Sequence, residues 1–81
     1  EPGLARQMVR FVQAIRREEL EKKPGIAETL DWARALVGLG VRDVRENPAL
    51  LQDTLLCLLK THADRGAVTA EVVSRVLGRI A

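Results

Sequence analysis

Apolar residues recur along this chain at helical spacing. Between about residues 4 and 22, Met8, Phe11, Val12 and Ile15 fall at i, i+3, i+4 and i+7 on one stripe, while Arg6, Arg10, Arg16, Arg17 and Glu21 take other positions. Lys23-Pro24-Gly25 is expected to end this helix, because proline lacks the amide that continues the ladder and restricts the residue before it. A second helix is predicted over 26–38, with Ile26, Leu30, Ala33 and Val37 on its stripe and Trp32 and Leu36 flanking it. Glu28 and Asp31 lie in its first turns, where the positive end of the helix dipole favours carboxylates. Gly38-Leu39-Gly40 breaks it, either glycine being able to take the left-handed cap. Residues 41–47 are mixed in period, and Val41 and Val44 are expected to pin a loop or short turn there.

Asn47-Pro48 has the form of an N-cap followed by proline at the first helical position. The third helix that starts there carries Leu51, Leu55, Leu58 and Leu59 on one face, widened by Leu50 and Leu56, and is expected to be central. Gly66 ends the connection after it. Thr69 is placed to cap a last helix, Glu71 sits in its first turn, and Val72, Val73, Val76, Leu77 and Ile80 form its stripe. No segment alternates with period two. The expected fold is all-α, a compact four-helix orthogonal bundle or array in which each helix buries one stripe.

Composition agrees and adds limits. Eighty-one residues make one domain, 1–81. A chain of that length buries only roughly 60–65% of the surface its unfolded form exposes. The apolar share of 47% is almost wholly aliphatic, with one Trp, one Phe and no Tyr. Thirteen Lys and Arg against eleven Asp and Glu leave +2. Much of that charge is interleaved, as in Arg16-Arg17-Glu18-Glu19 and Arg42-Asp43-Val44-Arg45-Glu46, which reads as solvated helix face rather than a basic stripe. No run approaches about 18 uninterrupted apolar residues, and no signal peptide opens the chain. The expectation is a soluble, cytoplasmic protein without membrane contact, and the start at Glu1 without Met suggests a piece of a longer polypeptide.

Catalytic constellations are sparse. The one Lys-Thr pair, Lys60-Thr61, is expected inside the leucine-rich helix with no glycine before it, unlike a phosphate-cradling P-loop. One cysteine and one histidine cannot supply a zinc site. Cys57 and His62 are out of phase on a single helix, and read as a buried thiol and a helix-terminal histidine near negative carbonyls. Glu28 and Asp31 share a face at i, i+3, which acid–base chemistry or dipole compensation could use. Trp32 reads as a core anchor, the one large aromatic able to wedge between aliphatic helices. No catalytic residue and no metal ligand is assigned.

The most informative stretch runs Lys22-Lys23-Pro24-Gly25-Ile26-Ala27-Glu28-Thr29-Leu30-Asp31-Trp32-Ala33-Arg34-Ala35-Leu36. It resembles the PG(I/V)(A/S)E(T/S)xDWAxAL segment in the C-terminal helical lid of MoxR-type AAA+ ATPases. Val9-Arg10-Phe11-Val12-Gln13-Ala14-Ile15-Arg16 is similar to the first lid helix. Asp53-Thr54-Leu55-Leu56-Cys57-Leu58-Leu59-Lys60 is similar to the later TLxxLLK helix, followed by an acidic Asp64. Together these cover about residues 6–65. The resemblance implies a lid that is not an enzyme alone, belonging to a parent ATPase that binds ATP and Mg2+ on a preceding α/β core. It implies chaperone-like, ATP-driven remodelling, with that core, neighbouring subunits of a ring oligomer and von Willebrand A-domain proteins as partners.

In such ATPases the second lid helix commonly opens with an arginine directed at the γ-phosphate. Residues 24–28 contain no arginine, and Glu28 stands at the corresponding place, where a carboxylate would repel a triphosphate. The nearby cations Lys22, Lys23 and Arg34 are the candidate nucleotide-facing residues. Otherwise the segment packs the lid against the core or a neighbouring subunit. The alternative reading is a stand-alone helical DNA-binding or protein-interaction domain. DNA binding is disfavoured because no helix gathers Arg, Lys, Asn and Gln on one face as base reading requires.

Overall fold

The computed structural model describes residues 2–80; Glu1 and Ala81, the ends of the expected 1–81 domain, lie outside the described residues. Five α-helices and no strand are present among them: α1 (Pro2–Ile15), α2 (Ile26–Gly38), α3 (Pro48–Thr54), α4 (His62–Ala67) and α5 (Ala70–Arg79). The chain is therefore all-α as expected, but the third predicted helix is divided. After α3 the backbone tightens into a 3-10 turn over Leu55–Cys57, and a new helix starts at His62. Lys60-Thr61 thus lies in a helix break rather than in mid-helix. Thr61 caps α4, its hydroxyl accepting from the Asp64 amide at 3.1 Å.

Helix ends with local signals fall where the sequence puts them. The Asn47 side chain accepts from the Leu50 amide at 3.0 Å with Pro48 opening α3, and Thr69 caps α5 through the Val72 amide. At the end of α2, Gly40 takes φ +76°, its amide donates to the Val37 carbonyl and the Val41 amide donates to the Leu36 carbonyl. Two otherwise unpaired carbonyls are closed in this way, and Val41 and Leu36 are both buried beside them.

The first helix ends early. It stops at Ile15 rather than near residue 22, and Arg16–Glu21 form a turn and an extended loop. The loop is held by distant groups. Asp64, 2% exposed, accepts from the Glu21 amide at 2.7 Å and the Lys22 amide at 2.9 Å. Arg75 pairs with Glu18 at 2.9 Å, and the Arg16 guanidinium donates to the Pro24 carbonyl. The 41–47 loop is pinned as expected, with Val41 and Val44 buried; the Val44 amide donates to the Gln7 side chain of α1 at 3.0 Å.

The core gathers Phe11, Val12 and Ile15 of α1, Trp32 and Leu36 of α2, and Leu51, Leu55, Leu58 and Leu59 from α3 and the turn after it. Val68 and then Val73, Val76 and Leu77 of α5 complete it. α2 packs on the 3-10 turn and α3, while α5 packs on α3 and α1. Trp32 is fully buried and stacks on Phe11 with ring centroids 5.1 Å apart. Its indole N–H donates to the Thr54 hydroxyl at 2.9 Å, which donates in turn to the Leu51 carbonyl at 2.7 Å. The polar atom of the largest side chain is thereby satisfied in the interior.

Trp32→Ala is expected to cost about 3–5 kcal/mol of unfolding free energy, because it empties the centre of the core. Thr54→Val keeps the shape but orphans the indole N–H, and is expected to cost about 1–3 kcal/mol. Urea titration followed by circular dichroism measures both, and a near-neutral Trp32→Ala would show that the ring is not an anchor.

Candidate functional site

The stripe of α2 that the periodicity points inward in fact faces out. Ile26 is 82% exposed, Leu30 53% and Val37 64%, whereas the flanking Trp32 and Leu36 are fully buried. α2 therefore has two apolar faces, and the core uses only one. An exposed Ile or Leu forgoes about 1.5–3 kcal/mol relative to full burial, so a contiguous row of them is a cost to an isolated domain.

Across from this row, α1 presents Val9, itself half exposed. The two helices border an open groove of about 440 Å³, with Val9, Val12 and Arg16 on one wall and Pro24, Ile26 and Leu30 on the other. Val37, on the same face of α2, borders a smaller hollow of about 220 Å³ with Leu4 and Val41. Residues 24–30 lie within the segment that carries the family resemblance. The buried Pro24, whose carbonyl accepts from Arg16, fixes the mouth of the groove.

Glu28 performs a local task. Its carboxylate accepts from the Gly25 amide at 2.9 Å, closing the N-terminus of α2, while the Thr29 hydroxyl donates to the Gly25 carbonyl at 2.7 Å. The Gly25 amide, followed by Glu28's own amide, holds the carboxyl below its ordinary range. Its charge is spent on the helix end. Asp31 faces away and meets Arg34 at 3.8 Å.

The three candidate cations are not gathered around one point. Lys23 folds back so that its Nζ donates to the carbonyls of Arg16 at 2.5 Å and Glu18 at 3.0 Å, satisfying the end of α1. Lys22 is exposed in the loop, with its backbone amide held by Asp64. Arg34 projects from α2 about 12 Å beyond the helix start, taking 1.5 Å per residue, with its side chain 80% exposed.

Two other expectations are corrected. Cys57 is half-buried in the 3-10 turn rather than fully buried in a helix. His62 is exposed and opens α4, at the positive end of that helix rather than beside terminal carbonyls. Among the described residues, no cluster of three or more His, Cys, Asp and Glu is arranged to hold a metal ion, and no helix is long and apolar enough to cross a membrane.

The residue that the sequence reading undervalued is Asp64. Burial pushes its carboxyl up, but the amides of Glu21 and Lys22 and the Thr61 hydroxyl outweigh burial and hold it below its ordinary value of 3.8. The local signal reached only the cap: Thr61-His62-Ala63-Asp64 has the form of a helix start, and nothing near it marks the carboxylate's bonds to the distant Glu21 and Lys22 amides. Likewise, nothing local distinguishes the outward stripe of α2 from the inward one.

A carboxyl depressed in the folded state contributes stability that is present above its unfolded pKa and lost as pH falls through the folded one. The thermal midpoint is accordingly expected to drop as pH is lowered from about 5 towards about 2. Asp64→Asn should be less stable at neutral pH and fall less steeply in acid. Parallel acid limbs for the two proteins would show that this carboxylate does not hold the loop. The chain matches no protein-family model, no curated protein and no solved structure.

Proposed function

We propose that this chain is the C-terminal helical lid subdomain of a MoxR-type AAA+ ATPase, an ATP-driven, ring-forming, chaperone-like remodeller, and is not catalytic alone. The observation that carries the reading is the ordered series of motifs from Val9 to Asp64, above all Pro24-Gly25-Ile26-Ala27-Glu28-Thr29-Leu30-Asp31-Trp32-Ala33-Arg34-Ala35-Leu36. The way this segment divides its labour supports it. Gly25, Glu28, Trp32 and Leu36 cap and anchor α2, while Ile26, Leu30 and Arg34 face outward. An apolar outer face suits a subdomain that docks on a larger body.

In the full-length ATPase, the P-loop, ATP and Mg2+ belong to an α/β core, and the lid moves with the nucleotide cycle against that core and neighbouring subunits. Von Willebrand A-domain proteins are the partners of the assembled ring. Lys22 and Arg34, whose side chains are exposed, are the cations available to a phosphate; Lys23 is occupied at the end of α1. The second reading, a stand-alone protein-interaction domain, draws on the same apolar groove.

Genomic sequence upstream of the Glu1 codon separates the two. The lid reading expects an open frame encoding a Gly-rich loop that ends in Lys-Ser or Lys-Thr. An in-frame stop just upstream would overturn it. Calorimetric titration of the isolated chain with Mg-ATP is expected to give no measurable heat of binding, and micromolar affinity would contradict a lid that is inert alone.

A further inference from the structure

Both rims of the α1/α2 groove carry positive charge. Residues 2–17 hold Arg6, Arg10, Arg16 and Arg17 and contain no Asp or Glu. At about 100° per residue, Arg6 and Arg10 of α1 run along the stripe next to the groove-lining Val9 and Gln13, and Arg16, in the turn that follows the helix, is in the wall itself. On the opposite rim Arg34 follows Leu30 by one turn. Among the described residues, none of these four arginines pairs with a carboxylate. The two acids of α2 offset this charge only in part: Glu28 stays an anion as it accepts from the Gly25 amide, and Asp31 lies 3.8 Å from Arg34 between exposed side chains, where water screens the pair, so the basic residues bordering the groove still outnumber them.

We propose that this groove receives an acidic amphipathic helix from a partner protein. Its apolar side chains, spaced i, i+3, i+4 and i+7, enter between Val9, Val12, Ile26 and Leu30. Carboxylates on its flanks meet Arg6 and Arg10 on one side and Arg34 on the other. The apolar row from Ile26 to Val37 extends about 16 Å along α2, matching three turns of a guest helix.

The shape and charge favour this occupant over the others. A flat bilayer does not fill a concave hollow. A second copy docked by two-fold symmetry would bring the arginine rows face to face. Base edges of DNA require hydrogen-bonding groups at the centre of the contact, and the centre here is aliphatic. The groove and its charges are properties of this chain, so the docking stands or falls independently of the ATPase assignment.

The test titrates 15N-labelled chain with a synthetic amphipathic peptide bearing Leu on one face and Glu on both flanks, beside a version with Lys in place of Glu and a scrambled control. The Glu peptide is expected to shift the amides of residues 9–13 and 26–37, and to bind more weakly as salt rises. The double variant Arg6→Glu, Arg10→Glu should weaken that binding by about tenfold and strengthen binding of the Lys peptide. Leu30→Ser should weaken both, with circular dichroism confirming that each variant is folded. Equal binding of Glu and Lys peptides overturns the proposal, as does absence of any shift. So does the same set of shifts produced by phosphatidylserine vesicles, by duplex DNA or by raising the protein concentration alone, without Glu-peptide binding.

Discussion

The indole of Trp32 touches α1 through the Phe11 ring and α3 through the Thr54 hydroxyl, so one side chain joins three helices. Few substitutes exist in a chain with one Trp, one Phe and no Tyr, whose remaining core is aliphatic. Stacking adds about 0.5–1.5 kcal/mol beyond area burial, and the hydrogen bond to Thr54 lets a polar nitrogen enter the interior without being orphaned. Because Trp32 fixes which side of α2 points inward, it also fixes which side does not. With Trp32 and Leu36 turned to the core, Ile26, Leu30 and Val37 must face out. The groove is thus a consequence of how the core closes.

A second constraint acts at long range. The buried Asp64 carboxylate collects two amides from a loop more than 40 residues away and helps to set where that loop can run. With the Arg16–Pro24 and Lys23–Arg16 contacts, it keeps α2 starting beside the end of α1. The spacing that makes a groove between these helices therefore rests on a few polar contacts as well as on packing.

What could be read from the sequence divides along the same line between local and distant causes. Asn47-Pro48, Thr69 and Gly38-Leu39-Gly40 were legible because a cap is decided by the residues that form it. The end of α1 at Ile15 was not, because Arg16 to Glu21 are good helix formers and the groups that draw them into a loop come from α4 and α5. The break after α3 was half legible. The leucine run reads as one helix, yet the Thr61–Asp64 cap marks a second start. The candidate site was hidden for a different reason: α2 has two apolar stripes, and periodicity does not rank them. Pro24, Ile26 and Leu30, in the groove wall, fall inside the Lys22–Leu36 stretch, while Lys23 turns back to the end of α1 and Arg34 stands out from α2.

The core closes without the outer stripe of α2. Replacing Ile26 and Leu30 together by Ser and measuring unfolding in urea tests it directly. A change within about 0.5 kcal/mol per site is expected, as for surface positions generally. A combined loss above about 4 kcal/mol, the scale of emptying two core sites, would place those side chains in the core and contradict the account.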